Sequence, residues 1–135
     1  MKNLQKNKRK KEKIRKLVEV WKNRLGLVNW DIQCLFKQEK SPKDDGDFVG
    51  IAHIVANTEY KIGTITFLPK NLSLVDDFAV CHELVHLLLA ELTGYARANI
   101  DYKSHNMAEK WLTYYEEQCV SELERVIMRM YKITP

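Results

Sequence analysis

The chain contains few of the residues on which disulfide-rich domains and nucleotide-binding loops depend. Among its 135 residues are only three cysteines, five glycines and three prolines. Cys34, Cys81 and Cys119 are odd in number and far apart, so the sequence encodes neither a disulfide framework nor a C-x-x-C metal knuckle. The glycines form no phosphate-binding loop and no dinucleotide fingerprint. We therefore expect free thiols, which suit a reducing, cytoplasmic compartment.

Long apolar runs are also missing from the sequence. No stretch approaches the ~20 apolar residues that cross a bilayer, and the basic N-terminus is not followed by the apolar stretch of a signal peptide. We expect neither membrane association nor secretion. The hydrophobic residues, which make up 45% of the chain, suffice for the core of one α+β domain.

Positive charge is concentrated at the N-terminus. Residues 1–16 carry nine lysines and arginines against one acid, Glu12, whereas residues 17–135 carry thirteen against seventeen. This pattern predicts a flexible basic arm over residues 1–13 and a single domain over residues 14–135. Such an arm can contact phosphates but has no interleaved aromatic residues, so nucleic acid is an alternative partner and a solvated tail the plainer interpretation.

The periodicity of apolar residues predicts a helix and three strands in the first half of the domain. Apolar residues spaced three and four apart over residues 14–25 predict an amphipathic helix that ends at Gly26. Alternation predicts a strand over residues 30–36 and a hairpin with strands over residues 49–56 and 60–68. The expected result is a small, three-stranded, mostly antiparallel sheet.

Two further helices are predicted in the second half. Residues 78–92 are apolar almost all round, which is typical of a buried helix; a capping sequence at Ser73 precedes it and Gly94 is expected to end it. An amphipathic pattern predicts the last helix over residues 107–130. Residues 41–46 are predicted to form a loop.

The buried helix contains the motif His82-Glu83-Leu84-Val85-His86, which matches H-E-x-x-H. Histidines four residues apart lie on one face of a helix and can converge on one ion. Glu83 lies about one hundred degrees round the helix from His82, where it can reach a metal-bound water but is poorly placed as a ligand. From the composition of the chain, the chance of one such match is about one per cent. The alternative is a pair of core histidines, each of which would need its own polar partner.

The segment from Cys81 to Leu89, which follows a strand pair, resembles the zincin metallopeptidases. That resemblance implies a catalytic zinc with two histidine ligands, a third protein ligand and water. The metzincin subclass requires glycine and histidine where this chain has Leu89 and Leu92. The sequence instead resembles the gluzincins, and this resemblance implies a third ligand from a glutamate on a later helix.

Three residues compete for the position of the third ligand. Residues 115–123 resemble the corresponding stretch of ImmA/IrrE-type metallopeptidases of bacteria and mobile elements, and this resemblance implies Glu117. Helical periodicity favours Glu116 instead, because it shares a stripe with apolar residues. His105 is the rival by its resemblance to the third histidine of SprT-like proteases. In this chain Ser121 stands where the ImmA/IrrE-type pattern usually has a supporting amide or carboxylate.

These features predict a Zn²⁺-dependent peptidase that acts on a protein or peptide substrate. His82, His86 and Glu117 would hold the metal, and Glu83 would act as the general base. The zincin resemblance further implies that the strand Ile62–Phe67 lines the cleft and pairs with an extended substrate. The alternative is a non-catalytic, zinc-containing regulatory or binding module.

Overall fold

The computed structural model describes residues 1–38, 50–100 and 106–134, and it confirms the predicted α+β class. The predicted loop over residues 41–46 lies outside these ranges. A short 3₁₀ helix, Pro69–Leu74, precedes the second α-helix. In chain order, the elements are α1 (Lys2–Arg24), β1 (Asp31–Phe36), β2 (Ala52–Asn57), β3 (Ile62–Phe67), α2 (Asp77–Ala98) and α3 (Asn106–Met130).

The sheet is mixed, with the strand order β1-β3-β2. β3 pairs in parallel with β1 and antiparallel with β2, where Ile54 lies opposite Ile65. Mostly antiparallel pairing was expected; the difference arises because β2 takes the far edge and the hairpin returns β3 into the middle, beside β1. Both sides of β3 are paired, so the prediction that Ile62–Phe67 offers an edge to a substrate is wrong. Within the described residues, the strand edge nearest the H-E-x-x-H motif belongs to β2.

Helix α1 begins at Lys2, so most of the segment predicted as a flexible arm forms the first half of this helix. No proline or glycine occurs before Gly26, and lysine, arginine and glutamine are good helix formers. The second half is anchored in the core by Ile14, Val18 and Trp21. Gly26 ends the helix as predicted, with φ of 69° and a hydrogen bond from its backbone N–H to a carbonyl of the last turn.

Helix α2 begins with a side-chain cap and is tied to α1 at that end. The Asp76 carboxylate accepts a hydrogen bond from the Ala79 backbone N–H at 2.9 Å, and the Trp21 indole N–H donates to Asp77 at 2.8 Å. Asp76 is thus the cap, whereas Ser73 lies in the preceding 3₁₀ helix. The predicted end at Gly94 is wrong: the helix continues to Ala98, because helix-forming residues follow and this glycine keeps a negative φ.

The core lies between the sheet, α1, α2 and the inner face of α3. Trp21, Ile65, Phe67 and Leu84 are fully buried at its centre. Val120 and Met128 of α3 join it, which holds that helix against α2. In the described part of the chain, no helix has the length and the apolar character needed to cross a membrane.

The exposure of the first half of α1 predicts that it contributes little to stability. Deleting residues 1–13 should change the free energy of unfolding by no more than about 0.5 kcal/mol, because the segment buries no side chain fully. Trp21→Ala is the contrasting variant and should cost about 3–5 kcal/mol. Chemical denaturation of both measures the difference; a loss from the deletion comparable with that of Trp21→Ala would make residues 1–13 part of the folded core.

Candidate metal centre

Helices α2 and α3 bring two histidines and a set of glutamates face to face. His82 contacts Glu117 and Glu124, whereas His86, one turn later on α2, contacts Glu116 and Glu117. Later residues of α2 therefore meet earlier residues of α3, so the two helices run antiparallel. Both histidine side chains are largely enclosed, with 25% and 15% of their surface exposed.

Three potential ligands converge between the helices. Nε2 of His82 lies 3.2 Å from Oε2 of Glu117, and Nε2 of His86 lies 3.1 Å from Oε1 of the same carboxylate. One ligand atom from each of the three residues lies within 4.8 Å of the others. In a tetrahedral site with bonds of about 2.1 Å, ligand atoms are about 3.4 Å apart. The structure therefore brings together the three residues that the sequence proposed as ligands, at a spacing that suits a small divalent ion.

The negative charge around this group favours a cation. Four carboxylates, those of Glu83, Glu116, Glu117 and Glu124, surround the two imidazoles, and the guanidinium of Arg97 offsets only one of them. Neutral imidazoles would also direct acceptor nitrogens at an acceptor carboxylate. A proton on each ring, or one shared metal ion between them, would remove this conflict.

His82 is oriented by a carboxylate on its other ring nitrogen. Its Nδ1 lies 2.8 Å from Oε2 of Glu124, whose side chain is only 17% exposed. A hydrogen bond from Nδ1–H to this carboxylate leaves Nε2 to face Glu117. Burial by itself lowers the pKa of His82, but the hydrogen bond to Glu124 and the neighbouring carboxylates outweigh it and raise the pKa above its usual value. The same arrangement fixes ring orientation in many metal sites.

His86 is oriented in the same way by Glu116. Nδ1 of His86 lies 3.1 Å from Oε1 of Glu116, whose other oxygen accepts a hydrogen bond from Arg97 at 2.5 Å. Burial opposes ionisation of Glu116, but the hydrogen bonds from Arg97 and His86 hold the pKa of this carboxyl below its usual range. Glu116 and Glu117, the two alternatives from the sequence, thus occupy different places: Glu117 faces both Nε2 atoms, and Glu116 supports a ring from behind.

Glu83 lies on the side of α2 that faces the sheet. A hydrogen bond from the backbone of Ile54, on β2, stabilises its carboxylate. Burial raises the pKa of Glu83 to about 7, although the charge of His82 and the bond from Ile54 act in the opposite direction. The predicted base therefore lies between the ligand cluster and the edge of β2 that no other described strand pairs with. It belongs to neither the cluster nor the core.

A cleft runs along β2 past these residues. It has a volume of about 600 Å³ and is bounded by β2, by α2 and by the glutamates of α3. The exposed strand residue His53 lines it, but its ring is not part of the ligand cluster. Cys81 is fully buried, and burial raises the pKa of its thiol to about 12, which agrees with its interpretation as a core residue. His105, the rival ligand, lies outside the described residues.

Sequence reasoning missed the roles of Glu124 and Arg97. Glu124 follows Glu117 by seven residues and therefore lies on nearly the same helix face. This i, i+7 pair of glutamates was the sequence signal that could have identified Glu124 as a partner of the motif. The carboxylate support that was absent at Ser121 is supplied by Glu124, farther along α3. For Arg97 no local signal existed, because it lies beyond the predicted end of its helix.

No family model, no curated protein and no solved structure matches this chain.

Substitution of the three glutamates that contact the histidines should lower the affinity for metal to different extents. Glu117→Ala should lower the affinity for Zn²⁺ most, because it removes a ligand group. Glu124→Ala and Glu116→Ala should each lower it about 10–100-fold, since they release a histidine ring from its fixed orientation. Competition with a chromophoric chelator measures the series.

Glu122→Ala is the matched control, because Glu122 lies on α3 with its side chain 69% exposed. It should bind Zn²⁺ as the parent protein does. Equal affinity in the Glu122, Glu116 and Glu124 variants would contradict the supporting role.

Proposed function

We propose that this protein is a zinc-dependent metallopeptidase of the zincin type. The observation that carries the proposal is the convergence of His82, His86 and Glu117 beside a cleft that also contains Glu83. Two imidazoles and a carboxylate form a donor set that suits zinc at a catalytic site. The resemblance to gluzincins, and to ImmA/IrrE-type enzymes in particular, points the same way.

Each residue of the motif has a separate role in this proposal. Zinc, when bound, supplies Lewis acidity towards the substrate carbonyl and the attacking water. Glu83 takes the proton from the water and passes it to the leaving amine. Glu116 and Glu124 hold the histidine rings in the orientation that keeps both Nε2 atoms towards the metal.

The outer edge of β2, which pairs with no strand among the described residues, is well placed to align an extended peptide. Because the backbone of Ile54 bonds to Glu83 on α2, its polar groups face away from β3, and by strand alternation those of Ala52 and Ala56 do the same. The N–H of Ile54 is engaged by Glu83, but the backbone groups of Ala52 and Ala56 can pair with a substrate backbone as an added strand. A peptide bound this way passes directly beside Glu83, which favours cleavage within a chain.

The open side of the ligand cluster favours an enzyme over a purely structural metal site. Among the described residues, the cluster has three ligand groups and borders the cleft. Structural zinc sites are closed by four protein ligands, whereas catalytic sites keep one position for water or substrate. A reducing, cytoplasmic setting, supported by three free cysteines, is part of the same proposal.

The first test concerns the metal. His82→Ala and His86→Ala should each lose about one equivalent of zinc per chain and melt at a lower temperature in the presence of zinc, because the bound ion stabilises only the folded form. His53→Ala changes a histidine that lines the cleft outside the cluster, and it should retain the metal. Elemental analysis of the three purified proteins decides the matter; full zinc content in both motif variants would end the proposal.

The second test separates peptidase from binding module. Glu83→Gln keeps the size of the side chain but removes the base, so the variant should keep zinc and fold while losing roughly 10²–10⁴-fold in cleavage rate. Cleavage is followed by mass spectrometry on a mixture of extended peptides. Glu91→Gln makes the same chemical change on an exposed face of α2 and should cleave like the parent. Undiminished cleavage by the Glu83 variant would show that another group is the base.

A further inference from the structure

The first half of α1 stands out from the body of the protein. We call residues 2–13 the basic half of α1; all of its residues up to Arg9 are exposed, and the anchoring residues begin at Ile14. At 1.5 Å per residue, the segment is ~18 Å long. Within this segment, Lys11 approaches the domain, with its Nζ 5.5 Å from the centre of the Phe36 ring. The exposed residues up to Arg9 therefore form a surface available to a partner.

Positive charge covers most of the circumference of this segment. Seven of its twelve residues are basic: Lys2, Lys6, Lys8, Arg9, Lys10, Lys11 and Lys13. At 100° per residue they occupy more than half of the helix surface. The one acid, Glu12, pairs with Arg15 at 3.0 Å, outside the segment. Like charges four residues apart, such as Lys2 and Lys6, repel one another and destabilise the helix. A bound polyanion would reduce this repulsion.

The composition of the basic half distinguishes between polyanions. A helix that lies on a membrane needs an apolar face, and the only large apolar residue here is Leu4. A helix is ~10–12 Å across and fits the B-DNA major groove, which is ~12 Å wide, whereas the major groove of A-form RNA is too deep and narrow. Charge on several sides allows contacts with phosphates on both walls of the groove.

We propose that the basic half of α1 binds double-stranded DNA in the major groove, through phosphates and without base readout. The charge of the remaining chain favours DNA binding at α1 and not elsewhere. Residues 17–135 carry thirteen basic and seventeen acidic residues, and the cleft is lined by Glu83, Glu116 and Glu117. DNA is therefore attracted to α1 and repelled from the cleft. The inference stands whether or not the cleft is a peptidase site.

The test is fluorescence anisotropy with a labelled DNA duplex of mixed sequence, titrated with the full chain at several salt concentrations. The test variant carries four substitutions in exposed residues of the basic half. The control makes the same change of charge in exposed residues elsewhere. The test substitutions are Lys6→Gln, Lys8→Gln, Arg9→Gln and Lys13→Gln; the control substitutions are Lys37→Gln, Lys70→Gln, Lys110→Gln and Arg129→Gln.

The parent should bind the duplex with an affinity that falls steeply with salt. The test variant should bind at least ~10-fold more weakly at low salt, and the slope of log K against log salt should fall by about 3–4, since each lost phosphate contact removes about 0.9. The control should keep most of the affinity, and zinc content should be equal in all three proteins. Because DNA affinity and zinc content are measured separately, failure of the DNA-binding proposal can be distinguished from failure of the proposed peptidase.

Three results would overturn the proposal. One is an absence of binding by the parent at low salt. Another is an equal loss in the test and control variants, which would assign binding to overall charge. The third is binding of an RNA duplex of the same sequence, or of vesicles containing phosphatidylserine, as tightly as the DNA, because the groove and the missing apolar face would then play no part.

Discussion

Two half-buried imidazoles on an apolar helix need partners for their ring nitrogens, and the antiparallel packing of α2 against α3 supplies them. Each Nδ1 has its own carboxylate, from Glu124 or Glu116, and both Nε2 atoms face Glu117. Unpaired, these polar atoms would cost several kcal/mol in such an environment. The position of α3 is therefore tied to the two histidines, as well as to apolar contacts such as that of Val120 with the core.

The same network leaves an excess of negative charge that points to a divalent ion. Carboxylates normally avoid one another in enclosed places, because each disfavours ionisation of the next. Here Arg97 neutralises part of the excess through Glu116. The remainder lies at Glu117 and Glu124, on either side of His82. A metal ion among the Nε2 atoms would compensate these charges and replace the protons that the rings must otherwise carry.

Helix α2 connects the two sides of the site. One of its faces meets α3 and presents the histidines, and the adjacent face meets β2 and presents Glu83. Its N-terminal end is held by the cap at Asp76 and by the bond between Trp21 and Asp77. The order of the sheet matters for the proposed peptidase function, because a strand must take the edge beside α2 to offer its backbone to a peptide.

The spacing of His82, Glu83 and His86 by itself determined that both imidazoles share one helix face and that the carboxylate points elsewhere, because residues on a helix advance by 100° each. Local periodicity likewise located the strands and two of the helix ends, at Gly26 and Met130. Periodicity did not predict the start of α1, because no proline or glycine marks it and the basic residues continue the helix towards the N-terminus.

Contacts between distant segments were decided by the tertiary structure alone. Glu116 and Glu117 differ by one position, and which of them faces the Nε2 atoms depends on the rotation of α3 about its axis, which is set by packing against α2 and by the reach of Arg97. Which strand takes the edge depends on pairing between strands far apart in the chain. Neither is encoded by local pattern, because each is a property of two surfaces in contact, and a sequence segment carries information on only one of them.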